Sequence, residues 1–198
     1  MNTGCSMVSV GLFFGSFNPV HNGHLSIARY LLDEGHCGQV WFVVSPLNPW
    51  KADVTLLDEK KRLELVSEAI RGEKRMKASD VEFFMPRPSY TYQTLQVLKT
   101  DYPEEKFALI MGEDNLLHFH EWKNYRQIIS EYPVFVYPRP GNTFINPLEA
   151  GVKVVDAPMT GISSTEIREK IRKGENISEF VPQGIVGKTE KYYRDLLC

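Results

Sequence analysis

The sequence predicts an α/β protein built on a single doubly wound parallel sheet with helices on both faces. Two observations predict this fold class. Short apolar, β-branched runs alternate along the chain with longer runs whose apolar residues recur at helical spacing. The short runs are apolar throughout, as is typical of parallel strands buried on both faces. No repeat or linker divides the 198 residues, so we expect one domain over 1–198, with 163–198 as its helical C-terminal part.

The strands are predicted at apolar runs bounded by polar, proline or glycine residues. In chain order they are Val8–Phe14, Val40–Val44, Met76–Ala78, Phe107–Met111, Val134–Tyr137 and Val152–Val155. Val81–Phe84 is predicted as a further strand or as the continuation of the third. The two prolines of Met85–Ser89 require a loop after it.

The helices are predicted where apolar residues recur every three or four positions. In chain order they are Gly23–Glu34, Leu57–Ile70, Tyr92–Lys99, a stretch from Gly112 that includes Trp122, Tyr125–Ser130, Ser164–Arg172 and Thr189–Leu197. Gly35 and Gly72 end the first two, as glycine commonly does. Sheets of this kind bind ligands at the carboxyl ends of their strands, so we expect the functional site in the loops after Phe14, Val44, Met111 and Val155.

Composition and charge exclude several classes of protein. The net charge of −2 gives no broad basic surface for nucleic acid, so any anion site must be local. Three widely spaced cysteines favour neither a disulfide framework nor structural zinc, and they predict a cytoplasmic protein. No apolar run approaches the ~20 residues that cross a bilayer. Met1–Ser6 lacks the features of a signal peptide, and we interpret it as a dispensable extension.

The loop after the first strand is the most informative segment, Gly15-Ser16-Phe17-Asn18-Pro19-Val20-His21-Asn22-Gly23-His24. Glycine after a buried strand lets a ligand approach the backbone, and the amides at the start of a helix favour phosphate. His21 and His24 are three residues apart, so both rings can face one anion. Two alternatives are a zinc-binding pair, which lacks a nearby third ligand, and histidines that only cap the helix.

This segment resembles the G-S-F-D-P-x-H-x-G-H signature of nucleotidyltransferases that contain the H-x-G-H motif, which have a Rossmann-like fold. The resemblance implies that His21 and His24 contact the ATP phosphates and stabilise the transition state. It also implies ATP contacts from Gly15, Ser16, Phe17, Asn18 and Gly23. Asn18 stands where aspartate is usual, which removes a charge.

A second motif, Ile162-Ser163-Ser164-Thr165-Glu166-Ile167-Arg168, follows the last strand. Ser163 and Glu166 have the spacing of a capping box, but capping alone explains only these two residues. Hydroxyls and a guanidinium at a helix N-terminus suit a polyphosphate. The stretch resembles the I-S-S-T-x-I-R motif of the same superfamily. That resemblance implies that Arg168 is catalytic and that ATP is bound by Ile162, Ser163, Ser164 and Thr165.

Three segments resemble the nicotinate-nucleotide adenylyltransferase branch rather than the phosphopantetheine enzymes. Pro88–Leu95 is similar to P-S-Y-T-x-D-T-L, with Gln93 in place of aspartate, and it implies that Thr91 and Tyr92 meet the pyridine nucleotide. Met111-Gly112-Glu113-Asp114 with Trp122 resembles a G-x-D…W element. It implies adenosine contacts from Gly112 and Asp114, and stacking of Trp122 on the pyridine ring. Taken alone, Trp122 is better explained as a core aromatic, and the match to the wider element is what favours the stacking role.

Asn48-Pro49-Trp50-Lys51 lies where that branch often has P-P-H-K, which implies a phosphate contact from Lys51, whereas Trp50 replaces the histidine. The resemblance as a whole implies adenylyl transfer from ATP to nicotinate mononucleotide, with Mg²⁺ supplied on ATP and no metal held by the protein alone. Nicotinamide mononucleotide or phosphopantetheine as acceptor, and a non-catalytic nucleotide sensor, are the alternatives. We expect small-molecule partners, neither nucleic acid nor membrane, and leave a homo-oligomer open.

Three other signals are set aside. Gly184–Thr189 lacks the first glycine of a P-loop, since Pro182 stands there, and predicts a turn before the last helix. His118 and His120 are two residues apart and predict a solvated helix face rather than a metal site. The mixed charges of Asp58–Arg62 predict an exposed helix start.

Overall fold

The central sheet of the computed structural model has six strands within the described residues 8–46, 55–138, 151–158 and 160–197. All neighbouring strands are parallel. In the order in which they occur in the chain, the strands are β1 (Val10–Gly15), β2 (Gln39–Val44), β3 (Met76–Ser79), β4 (Phe107–Gly112), β5 (Val134–Tyr137) and β6 (Val152–Val154). Across the sheet the order is β3-β2-β1-β4-β5-β6.

The helices between the strands are described in the same order. They are α1 (Asn22–Asp33), α2 (Glu59–Ala69), α3 (Thr91–Asp101), α4 (Glu113–Leu117), α5 (Tyr125–Glu131), α6 (Ser164–Lys173) and α7 (Val186–Leu197). Short 3₁₀ helices form at Val81–Phe84, Phe119–Glu121 and Gln183–Ile185.

Both faces of the sheet are buried, as the continuous apolar strands predict. Successive residues of β4 point to opposite faces, so Ala108 and Ile110 join one buried cluster while Leu109 and Met111 join the other. Helices α1, α2, α6 and α7 cover the first cluster, and α3, α4 and α5 cover the second. The predicted doubly wound parallel sheet is therefore confirmed.

The C-terminal helices α6 and α7 pack onto the sheet. Ile167 and Ile171 of α6 and Tyr193 of α7 are buried in the same cluster as α1 and α2. Helix α7 begins at Val186, three residues before the predicted start, directly after the 3₁₀ turn. This shared core favours the proposal that 163–198 belongs to the same domain as the sheet.

The predicted strand at Val81–Phe84 is wrong, because this segment is a 3₁₀ helix. The backbone N–H of Phe83 donates to the carbonyl of Asp80 at 2.8 Å, which turns the chain at the end of β3. Glu82 is buried and accepts a hydrogen bond from Thr94 at 2.8 Å, whereas Phe84 is 83% exposed. The apolar residues of this segment do not form a strand, because its backbone pairs with none of the described strands.

The helical stretch predicted from Gly112 is broken into two pieces. Helix α4 ends at Leu117, a 3₁₀ turn follows over Phe119–Glu121, and Trp122 is extended. His118 and His120 are exposed, as predicted, while Phe119 between them is fully buried. The break lets the core side chain of Phe119 and the ring of Trp122 take separate positions.

Two further sequence expectations concern membranes and cysteines. Among the described residues no helix is both long and apolar enough to span a bilayer. Cys37 is a free, buried thiol, and burial raises its pKa to about 11. Cys5, Cys198 and the predicted extension Met1–Ser6 lie outside the described residues.

Candidate active site

A cavity of about 950 Å³ opens at the carboxyl edge of the sheet, beside the ends of β1 and β4. The strand order reverses between these two strands, which is where doubly wound sheets bind ligands. The predicted site residues that line it are Gly15, Ser16, Phe17, Asn18, His21, His24, Thr91, Gly112, Asp114, Trp122, Ser163, Ser164, Thr165 and Arg168. The motifs from the two halves of the chain therefore meet in one space.

Among the described residues, three predicted site residues do not line this cavity. The phenol of Tyr92 donates instead to Glu131 at 3.1 Å on the outer side of α3. Gly23 and Ile162 lie behind the lining and support it. Lys51 falls outside the described residues, and its predicted phosphate contact stays a prediction.

The two histidines of the first motif form one stacked unit. Their ring centroids are 3.7 Å apart with an interplanar angle of 27°. The backbone N–H of His21 donates to Nδ1 of His24 at 3.2 Å, so a neutral His24 has its proton on Nε2 and presents a donor there. The alternative that the histidines cap the helix is thus correct in part, because the capping contact is what fixes the His24 ring.

Gly23 is required by close packing against Thr160 and His21. A Cβ at this position would lie 2.5 Å from Oγ1 of Thr160 and 3.0 Å from Nδ1 of His21.

The zinc alternative requires at least one further ligand beside the two histidines. The described residues contain no group of three or more His, Cys, Asp or Glu side chains that could hold a metal ion.

Phe17 lines the cavity although the residue is almost completely buried. Its side chain is 2% exposed, and the ring lies edge-on to His24 with centroids 5.1 Å apart. The residue has a φ of +43°, which folds the loop back so that the ring covers Gly15. The ring of Phe17 therefore packs against His24 and supports it.

The second motif begins α6 and is attached to the first motif. Ser163 is the N-cap, and its hydroxyl accepts from the backbone N–H of Glu166 at 3.1 Å. The Ser164 hydroxyl donates to the carbonyl of Pro19 at 2.9 Å. These hydroxyls hold the helix start in place beside the first loop, so its backbone amides face the cavity as a group.

Arg168 joins the two motifs by a second contact. One of its terminal nitrogens donates to the carbonyl of Asn18 at 2.8 Å, and the other donates to Oγ1 of Thr165 at 3.2 Å. Partial burial lowers the pKa of Arg168 from its ordinary value, although a guanidinium stays charged at neutral pH. The site thus has a fixed positive charge close to both histidines.

Asn18 replaces the usual aspartate and uses both ends of its amide. Its Oδ1 accepts from the Tyr193 phenol at 2.7 Å and from the backbone N–H of Leu57 at 3.1 Å. Its Nδ2 donates to the carbonyl of Thr55 at 3.1 Å. Burial raises the pKa of Tyr193, which keeps the phenol protonated as the donor.

Another part of the cavity lining comes from the start of α3 and from the segment after α4. Thr91 is the first residue of α3. Trp122 is half-buried and packs edge-on against Phe119, with centroids 5.3 Å apart. A Cβ at Gly112 would overlap Oδ1 of Asp114, so this glycine allows the carboxylate to lie beside the end of β4.

Arg62 is a functional residue that the sequence analysis missed. Only 1% of it is exposed, and its guanidinium donates at 2.5 to 3.0 Å to four backbone carbonyls. The acceptors are Leu57, Ser16, Ser45 and Pro46. The guanidinium therefore joins the loops after β1 and β2 to the start of α2. The predicted exposed helix start is wrong for this residue.

Replacing Arg62 with methionine should lower the free energy of unfolding by about 3 kcal/mol or more, because four buried carbonyls lose a charged donor. Urea denaturation measures the change. Arg71→Met is the matched control, since Arg71 is 77% exposed on its side chain and should change stability by less than about 0.5 kcal/mol. A loss below about 1 kcal/mol at Arg62 would show that water replaces the guanidinium without cost.

The comparisons with known proteins agree with this geometry. The model of the cytidylyltransferase-like family matches residues 12–170, which places the chain in a class of nucleotidyltransferases. A "Probable nicotinate-nucleotide adenylyltransferase" of Flavobacterium johnsoniae is 44% identical over 179 residues, covering 88% of this chain and 92% of the relative. A protein of the same name from Cytophaga hutchinsonii is 42% identical over 190 residues, covering 94% of this chain and 98% of the relative.

The chain therefore belongs to the nicotinate-nucleotide adenylyltransferase family, as the motifs predict. A solved structure of Plasmodium falciparum nicotinic acid mononucleotide adenylyltransferase complexed with NaAD has a TM-score of 0.73. The superposition covers 93% of this chain and 98% of the Plasmodium falciparum chain, and the sequences are 15% identical, so the likeness is one of fold. These relatives do not favour phosphopantetheine, nicotinamide mononucleotide or a sensor role.

Proposed function

We propose that the protein transfers the adenylyl group of ATP to nicotinate mononucleotide, releasing pyrophosphate and forming nicotinate adenine dinucleotide. One observation supports this most directly. Two histidines and an arginine from distant parts of the sequence line the same cavity as Thr91 and Trp122, the residues expected at the acceptor. A volume of about 950 Å³ is suitable for two nucleotides side by side.

The reaction needs positioning and charge rather than a covalent intermediate. An oxygen of the acceptor phosphate attacks the α-phosphorus of ATP, and the bond from that phosphorus to the bridging oxygen breaks. The electron pair leaves with pyrophosphate. In this proposal Nε2–H of His24 and the guanidinium of Arg168 stabilise the charge that develops, and their contacts with the backbone of His21 and Asn18 and the stacking of His21 on His24 support it. Mg²⁺ would enter on the phosphates of ATP and neutralise part of their charge.

Several finer assignments belong to the proposal. We assign ATP to the end of the cavity lined by Gly15, Ser16, Asn18 and Asp114, with the amides at the start of α6. A cytoplasmic location, Mg²⁺ as the metal and the absence of nucleic acid among the partners stay predictions from the sequence, and so does any homo-oligomer.

Pyrophosphate release from Mg-ATP tests the function directly. Nicotinate mononucleotide, nicotinamide mononucleotide and phosphopantetheine are supplied in turn, and a reaction without acceptor is the control. We expect the highest kcat/KM with nicotinate mononucleotide. Absence of release with all three would favour the nucleotide sensor, and preference for phosphopantetheine would contradict the assignment of the acceptor end.

His24→Ala should lower kcat roughly 10²-fold or more, the scale of one lost oxyanion-type donor. Steady-state rates at saturating substrates measure it. His120→Ala is a matched control, because His120 is exposed and does not line the cavity. A kcat of His24→Ala within threefold of the wild type would refute the proposed role.

Trp122→Ala should mainly raise the KM for the pyridine nucleotide, because the ring loses its stacking surface, which is worth about 1 kcal/mol. Trp122→Phe keeps an aromatic face and should restore most of the affinity. The KM for ATP serves as the internal control. If the substitution changed only the ATP dependence, the pyridine ring would have to bind elsewhere.

A further inference from the structure

The turn between α6 and α7 contacts the start of α1. Ile177 and Val181, at the two ends of this turn, are almost completely buried in the core. The chain turns tightly between them, because the backbone N–H groups of Phe180 and Val181 both donate to the carbonyl of Ile177, at 3.0 and 3.3 Å. The buried side chains fix the turn to the core, and the carbonyls of Glu179 and Phe180 meet α1.

Asn22 donates two hydrogen bonds to this turn. Its backbone N–H donates to the carbonyl of Phe180 at 2.8 Å, and its side-chain Nδ2 donates to the carbonyl of Glu179 at 2.9 Å. Asn22 is the first residue of α1 and directly follows His21. Both the peptide group that follows His21 and the side chain of Asn22 are therefore fixed in orientation.

The peptide group between His21 and Asn22 is hydrogen-bonded at both ends. Its N–H donates to Phe180, and its carbonyl accepts from the backbone N–H of His24 at 3.0 Å. A rotation of this group would redirect the side chain of His21. It would also disturb the contact of the His21 backbone N–H with Nδ1 of His24. The turn between α6 and α7 thus helps to set the orientation of the stacked histidine pair.

The contact with the turn also engages an amide that could otherwise bind phosphate. The first N–H groups of a helix have no partner within the helix and are ordinarily available to an anion, but that of Asn22 donates to Phe180. Asn22 is not among the described residues that line the cavity. Under the proposed function, stabilisation of charge from this helix would come mainly from the imidazole rings, so their position would affect the rate.

We propose that Asn22 is a positioning residue for adenylyl transfer, which holds the pair of His21 and His24 in its working orientation through the turn between α6 and α7. The inference rests on the proposed function. Because Asn22 does not line the cavity, it acts through His24, the ring that we assign to the developing charge. A misplacement of about 1 Å can lower a rate about a hundredfold, so a single positioning contact is measurable.

Asn22→Ala tests this by removing the hydrogen bond to Glu179 while leaving the backbone one in place. We expect kcat to fall about tenfold, a part of what a misplacement of about 1 Å costs. The KM values for ATP and for nicotinate mononucleotide should change less than twofold. Steady-state rates with each substrate varied in turn measure both effects. Asn22→Gln keeps an amide donor and should return kcat to within threefold of the wild type.

Asn176→Ala is the matched control. Oδ1 of Asn176 accepts from the backbone N–H of Ser178 at 2.8 Å, so this variant also loses one side-chain hydrogen bond, but one made within the segment between α6 and α7. It should leave kcat within twofold of the wild type. Thermal unfolding should give similar Tm values for Asn22→Ala and Asn176→Ala, so that the difference in kcat between them reports position rather than folding.

A double-mutant cycle separates positioning from a general structural effect. Since Asn22 is proposed to act through His24, Asn22→Ala should change kcat less than twofold in a His24→Ala background. A tenfold loss in that background would overturn the proposal. So would a kcat of Asn22→Ala within twofold of the wild type, or a rise in KM alone.

The imidazole NMR signals of His24 test the contact without any substrate. Asn22→Ala should shift these signals, and Asn176→Ala should not. Unchanged signals in Asn22→Ala would overturn the proposal. A protein that is inactive with every acceptor and still shows the shift would refute the proposed function, while the hold of Asn22 on the histidine pair would stand.

Discussion

The side chain and the main-chain carbonyl of Asn18 form hydrogen bonds with three other segments of the chain. The amide oxygen accepts from α7 and from the backbone N–H of Leu57, two residues before α2, while the main-chain oxygen accepts from Arg168 of α6. Because the residue is 3% exposed, each lost partner would leave a buried polar group without compensation. The loop after β1 is thus held in position by contacts with helices more than 140 residues away in the sequence.

This arrangement explains why an amide can stand where the family usually has aspartate. The side chain must accept two hydrogen bonds and also donate one to the carbonyl of Thr55. A carboxylate would accept the first two but has no proton for the third, and would bring its charge against a carbonyl oxygen. In this chain Asn18 therefore has a structural role, and the charge of the active site comes from elsewhere.

The strands and the two phosphate motifs could be predicted because both depend on local sequence. A strand buried on both faces must be apolar along its length, and a loop that admits phosphate needs glycine and short polar residues at set positions. Arg62 could have been found on the same grounds, since it lies three and four residues before the buried Leu65 and Val66 on α2. It was missed because an arginine in a run of charged residues is ordinarily exposed.

Other features depend on residues that only the fold brings together. The turn at Val81–Phe84 is set by Asp80 and by Thr94 of the following helix, and no apolar pattern contains that information. The surroundings of Lys123 are similar, because its Nζ lies 4.4 Å from the ring centroid of Tyr90, which belongs to a segment more than thirty residues earlier.

Under the proposed function, the second motif would bind phosphate with few free side chains. The Ser164 hydroxyl donates to the carbonyl of Pro19, and Oγ1 of Thr165 accepts from Arg168. What these contacts leave for a triphosphate is the set of amides at the start of α6 and the remaining N–H groups of the guanidinium. Amides of a helix and a guanidinium bound to a carbonyl cannot reorganise much when charge moves to the leaving group. Fixed donors of this kind stabilise a transition state more than mobile ones do, since no further ordering is needed as the bond breaks.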